Sequence, residues 1–177
     1  MRIISGKLKG QTINEPHGRA THPMAEKVRG ALFNVLGGIE GLSVLDSFAG
    51  TGSLGFEALS RGASRVIAVE NDKPALEAMK RTQATLNLSG FKAVRTNILT
   101  WSNGNLNEVL DIVLLDPPYN DLRRDQLLKI IDRHLKGGGI AVLSWPGKEP
   151  VPIFEGLQIE QNKLYGDSQL VFYRKNS

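Results

Sequence analysis

Short apolar runs recur along the chain, separated by segments of helical period. SVLDSF (43–48), RVIAVE (65–70), KAVRTN (92–97), DIVLLD (111–116) and GIAVLSW (139–145) read as strands. Between them, ALSRG (58–62) reads as part of a helix. Lys73 to Leu88 forms an amphipathic helix with Ala75, Leu76, Met79 and Leu86 on its apolar face, and Leu122 to Leu135 predicts another. Apolar strands alternating with helices imply a parallel sheet covered on both faces. The tail breaks that rhythm: LQIEQNKLY and QLVFYRK flank Gly166-Asp167, the signal of an antiparallel hairpin. At the other end, RIISGKLKGQTI (2–13) predicts a β-hairpin turning around Gly6–Gly10. AEKVRGALFNVL (25–36) predicts a helix stopped by Gly37-Gly38. The expected fold is therefore α/β and Rossmann-like. It has a mostly parallel seven-stranded sheet, an antiparallel C-terminal hairpin, an N-terminal hairpin and helix (1–38), and a main body (39–177).

The chain has 177 residues, room for about one domain with a real core. No apolar run is long enough to span a membrane. MRIISGKLKG lacks the apolar stretch of a signal peptide, so the cytoplasm is the expected compartment. Cysteine is absent, which excludes disulfides, thiolate metal sites and a Cys nucleophile. The three histidines (His17, His22, His134) show no ligand spacing, and no metal is expected. Charge is informative once located. Residues 1–30 carry six basic side chains (Arg2, Lys7, Lys9, Arg19, Lys27, Arg29) and two acids (Glu15, Glu26). The rest of the chain is balanced at 16 of each sign, so the whole net charge of +4 lies in that segment. A basic arm on a neutral body suits a polyanion.

Two strand ends carry the chemistry of a nucleoside cofactor. In VLDSFAGTGSLG (44–55), Gly50, Gly52 and Gly55 form G-x-G-x-x-G between a strand and a helix. There the backbone can turn tightly and expose helix N–H groups to a ligand. Glu70 ends the next strand 20 residues after Gly50, at the place of a ribose-binding acid. A dinucleotide is disfavoured, because Asp46 before the loop would face its pyrophosphate. A cofactor with a cationic centre and an amino-acid moiety would welcome that carboxylate.

The third strand end, Asp116-Pro117-Pro118-Tyr119, has no use in hydride transfer. Proline cannot join a sheet ladder and pushes the residue before it out of the helical region, so the strand stops at Asp116 in a stiff turn. An exocyclic amine is a poor nucleophile, because its lone pair is delocalised into the ring. Asp116 and the Pro117 carbonyl offer two acceptors that hold its N–H bonds in line with an incoming methyl, and Tyr119 offers a stacking ring.

These motifs resemble the class I S-adenosylmethionine-dependent methyltransferases that modify amino nitrogens. With RIISGKLKG, THPMAEKVRGALFNVL and FAGTGSLGFEALSRGA, the chain resembles the RsmD family over nearly its whole length. The resemblance implies methyl transfer to N2 of a guanine in 16S ribosomal RNA. It implies an S-adenosyl-L-methionine site at Asp46, Phe48, Gly50, Gly52, Glu70 and Asn71, with Asn97 near the adenine. The base would be held by Asp116 to Tyr119, and RNA contacted by Arg2, Lys7, Lys9 and Arg29. An assembled or partly assembled small subunit is the expected substrate, and a monomer the expected state. Three positions depart from the family: His22-Pro23-Met24 replaces Arg-Pro-Thr, Gly30 stands for a Glu, and Asn97 for an Asp. The alternatives are a DNA adenine-N6 or protein glutamine-N5 methyltransferase, both of which use such a turn, and a non-catalytic RNA-binding assembly factor. The first two usually carry added domains for which these residues leave no room.

Overall fold

The computed structural model describes residues 1–18, 23–120 and 123–177. Helix α1 (Glu26–Leu36) leads into β1 (Ser43–Asp46), α2 (Ser53–Ser60), β2 (Arg65–Glu70), α3 (Lys73–Leu86) and β3 (Phe91–Arg95). Then come α4 (Ile98–Gly104), β4 (Leu110–Leu115), α5 (Arg124–His134), β5 (Leu135–Pro146), β6 (Leu157–Tyr165) and β7 (Ser168–Lys175). The seven strands form one sheet in the order β3-β2-β1-β4-β5-β7-β6. Strands β1 to β5 run parallel to their neighbours, and β7 lies antiparallel between β5 and β6. This is the Rossmann-like architecture of class I methyltransferases, as the alternation of runs predicts.

Strand pleating assigns the core. Successive side chains point to opposite faces, so Val44, Val66, Ala68, Ile112 and Leu114 join α2 and α3 residues in one apolar cluster. Leu45, Ile67, Val69, Val113 and Leu115 join α4 and α5 residues in the other. Trp101 and Trp145 are both buried in the second cluster, as core packing would place them. His134 ends α5 wholly buried, with its ring nitrogens 2.7 Å from the Glu108 carbonyl oxygen and 2.8 Å from Ser102 Oγ. The sheet order reverses between β1 and β4, and the crevice that receives ligands in such sheets opens at their carboxyl ends.

The N-terminal segment pairs as the short hairpin expected. Arg2 and Thr12 form an antiparallel bridge, the Ile3 N–H donates to the Gln11 carbonyl at 3.0 Å and the Ile13 N–H to the Met1 carbonyl at 2.8 Å, and residues 5–10 make the turn. The pairing is short because N–H groups of the turn are accepted by α2 instead. Helix α4 is an addition the sequence pattern does not reveal, since ILTWSNG is too short to show a period. Helix α5 begins at Arg124, while Leu122, where the helix was expected to start, lies outside the described residues. So does His22, whereas Met24 packs against the first core cluster.

Candidate active site

The loop after β1 is built around its glycines. Gly50 and Gly52 have φ of 56° and 84°, in the left-handed region that glycine adopts without penalty. A Cβ on Gly55 would lie 2.9 Å from both Phe91 and Val66, so close helix-to-sheet packing requires glycine there. The Gly50 N–H donates to Glu70 Oε2 at 2.6 Å and the Asp72 N–H to Glu70 Oε1 at 2.9 Å, fixing the acid at the end of β2. Asp72 in turn caps α3 by accepting from the Ala75 N–H. Asn71 beside it is exposed, and Phe48 is half-buried against the second core cluster.

Asp46 is 1% exposed. Its Oδ2 accepts from the Gly55 N–H at 3.2 Å, while Oδ1 has no partner. Burial, then the neighbouring Asp116 and Glu70, push its pKa up to about 8, partly offset by the Gly55 N–H. Ser47 Oγ and Thr51 Oγ1, in the same loop, are also buried without partners. Buried polar atoms are ordinarily bonded, so three orphans around one glycine turn mark a place prepared for a polar ligand. A cationic amino group suits Asp46, and ribose hydroxyls suit Glu70. The donor set thus fits S-adenosylmethionine.

Across the crevice, β4 delivers the Asp-Pro-Pro-Tyr turn. Leu114 is in register with Asp46, which puts Asp116 two residues beyond the end of the shared ladder. Burial pushes Asp116 up to about 6, and a hydrogen bond from Ser144 works against that rise. Ser144 stands on β5 immediately past the Leu115–Leu143 pair and is 5% exposed. Its Oγ lies 3.1 Å from the Tyr119 hydroxyl. Pro117 is buried, whereas Tyr119 remains 46% exposed. Ser144 is the site residue that sequence reasoning missed; its signal was one hydroxyl inside an otherwise apolar GIAVLSW run.

Asn97 and Arg29 each have a structural partner that the sequence does not show. Asn97 is exposed and caps α4, its Oδ1 accepting from the Thr100 N–H at 2.8 Å, so the oxygen expected near adenine already serves as a helix cap. Arg29, expected to contact RNA, is instead fully buried. Its Nε lies 3.4 Å from Glu57 Oε1, and its Nη2 donates to the Arg2 carbonyl. A guanidinium with no exposed surface cannot meet a phosphate; Arg29 ties α1 to the N-terminal arm. Arg2, Lys7 and Lys9 are exposed, as expected of the arm. Among the described residues, no cluster of three or more His, Asp or Glu is placed to hold a metal, and no helix is long and apolar enough to cross a membrane.

The family described as "Conserved hypothetical protein 95" matches residues 1–174. This chain belongs to that family, the RsmD family. The YlbH protein of Bacillus subtilis is 32% identical over 182 residues, covering 99% of both chains. "Ribosomal RNA small subunit methyltransferase D" of Haemophilus influenzae is 30% identical over 180 residues, covering 98% of this chain and 92% of that one. Among solved structures, the yhhF protein of Escherichia coli superposes with a TM-score of 0.88 at 26% identity, covering 99% of this chain and 98% of its own. The superposition with the yhhF protein extends through the N-terminal arm as well as the sheet.

Proposed function

We propose that this RsmD-family protein methylates the N2 amine of a guanine in the RNA of the small ribosomal subunit, with S-adenosyl-L-methionine as donor. The observation that carries the reading is the meeting of two strand ends: Asp46 and its glycine turn on β1, and Asp116 to Tyr119 after β4. Small-subunit RNA as the target is supported by the naming of the Haemophilus influenzae relative. The choice of N2 rests on the resemblance of the motifs.

When bound, S-adenosylmethionine supplies an electrophilic sulfonium methyl. Asp46 holds the cationic amino group and ionises beside it, since an adjacent positive charge favours the carboxylate. Glu70 accepts from the ribose hydroxyls with the lone pairs left free by Gly50 and Asp72. Asp116 and the Pro117 carbonyl accept the two N–H bonds of the guanine amine and aim its lone pair. Tyr119 stacks on the base, which must leave its own stack at a cost of a few kcal/mol unless it already sits in a loop. Positioning of this kind supplies roughly 7–11 kcal/mol of a barrier. The nitrogen becomes acidic only as the methyl arrives, so Asp116 takes its proton late. The protein works as a monomer in the cytoplasm, on an assembled or partly assembled subunit whose proteins present the target base.

The test uses small subunits from cells lacking this gene, incubated with the protein and methyl-labelled S-adenosylmethionine, followed by digestion of the RNA to nucleosides. Label in N2-methylguanosine is expected. Label in another nucleoside would overturn the N2 reading and keep RNA methylation. No label in any nucleoside would overturn both.

A further inference from the structure

Within the N-terminal arm the Ile3 N–H donates to the Gln11 carbonyl and the Gly10 N–H to the Ile3 carbonyl, and other backbone donors leave the arm. The Arg2 N–H donates to Glu26 Oε1 at 2.9 Å, on α1. Four others cross to α2: Ile4 N–H to Glu57 Oε1 at 2.9 Å, Ser5 N–H to Glu57 Oε2 at 3.2 Å, Lys7 N–H to the Ser60 carbonyl at 2.8 Å, and Leu8 N–H to Ser60 Oγ at 2.9 Å. The same hydroxyl donates to the Ser5 carbonyl at 2.5 Å. Gly6 sits so tightly that a Cβ would fall 1.9 Å from the Ser60 oxygen, and its φ is +85°. Glu57 is wholly buried and is itself held by Arg29 and Arg61, each at 3.4 Å. Ile3 and Ile13 are each 1% exposed in the core, while Arg2, Lys7 and Lys9 point their charges outward.

We propose that Glu57 and Ser60 are positioning residues for RNA: they latch the basic arm to the cofactor helix, so that Lys7 and Lys9 meet phosphates as a preformed pair. This rests on the RNA reading above. Ordering a loop on binding costs affinity, and an arm already fixed avoids that cost. Glu57 and Ser60 are 0% and 2% exposed, so each acts through the arm and not by meeting RNA itself. The same α2 carries the Gly55 N–H that bonds Asp46 near its N-terminus, so the latch also fixes where the charges lie relative to the cofactor loop.

Removing the hydroxyl with Ser60→Ala, or unseating the loop with Gly6→Ala, frees the arm without removing a charge. Hydrogen exchange at Ile4, Ser5, Lys7 and Leu8 is expected to accelerate at least tenfold in both variants, with protection in β1 and β4 unchanged. The Kd for small subunits from cells lacking the gene is expected to rise about tenfold, S-adenosylhomocysteine affinity to stay at the wild-type value, and Ser60→Thr to restore both readouts. Unchanged exchange in both variants would overturn the latch. Faster exchange with wild-type subunit affinity, or a parallel loss of S-adenosylhomocysteine binding, would overturn its role in RNA positioning. Should the wild-type protein fail to bind subunits, the RNA reading falls, while the exchange experiment still decides the latch.

Discussion

The hydroxyls of Tyr119 and Ser144 lie 3.1 Å apart, joining the tip of the Asp-Pro-Pro-Tyr turn to the carboxyl end of β5. The Ser144 side chain also acts on Asp116 in the sense that lowers its pKa. One serine therefore steadies both the stacking ring and the carboxylate that accepts the amine.

Ser144→Ala is expected to lower kcat several-fold, in keeping with the roughly 1 kcal/mol that an intramolecular hydrogen bond contributes. It should also raise the Asp116 pKa above about 6, because the hydroxyl that favours the charged form is gone. The acidic limb of the pH–rate profile then moves to higher pH. Tyr119→Phe keeps the ring and should lower kcat without moving that limb nearly as far. A rate loss with an unmoved limb in Ser144→Ala would refute the link to Asp116.

Asp116→Ala removes the acceptor and is expected to abolish methyl transfer while S-adenosylhomocysteine still binds. In the wild-type protein the charged carboxylate is the active form, so rates should fall as pH drops below about 6. Unchanged turnover in Asp116→Ala, measured on undermethylated subunits, would remove Asp116 from the mechanism.

Asp46 makes binding and stability oppose one another. Its folded pKa is raised to about 8 from a carboxylate's ordinary value. The stabilising contribution of the protonated form is fully present below about pH 4 and is lost as pH rises through 8. Asp46→Asn cannot ionise, so the free protein should gain stability at pH 8, on the order of a few kcal/mol. Thermal melts in the absence of ligand check the gain, and titration with S-adenosylmethionine checks the loss of binding expected beside it. For the wild type, the charged form binds the cationic amino group. Affinity should therefore rise with pH up to about 8, with a proton released on binding below that value, detectable by calorimetry in buffers of different ionisation enthalpy.

What the sequence made legible were features written in local pattern. Apolar runs gave the strands, Gly50, Gly52 and Gly55 gave the turn, and Asp116-Pro117 gave the place where β4 must stop. What escaped depended on partners far along the chain. The arm's hairpin is legible in its local turn residues, whereas the acceptors that hold it to α2, Glu57 and Ser60, are over fifty residues away from the N–H groups they bind. Arg29 counts as a surface charge in any composition, and only packing shows it 0% exposed against Glu57. Ser144 enters the site through the β4–β5 register, which no single strand encodes.

Asn97 provides the sharpest test of the cofactor site. Its one side-chain oxygen already accepts from the Thr100 N–H at 2.8 Å, which leaves a single neutral lone pair for a second donor. An adenine amino group bonds a free carboxylate oxygen more strongly than such a shared amide oxygen. Aspartate, the residue implied at this position by the family resemblance, has two acceptor oxygens. One keeps the cap, since Asp and Asn are similarly good N-cap residues, and the other is free for the adenine amine. Asn97→Asp is therefore expected to leave the melting temperature nearly unchanged. It should tighten S-adenosylhomocysteine binding by roughly 0.5–1.5 kcal/mol, a few-fold to tenfold in Kd. Asn97→Ala, which loses the cap, should cost about 1 kcal/mol of stability. Equal affinity in the wild type and Asn97→Asp, measured by calorimetry, would show that the end of β3 does not meet the adenine amine.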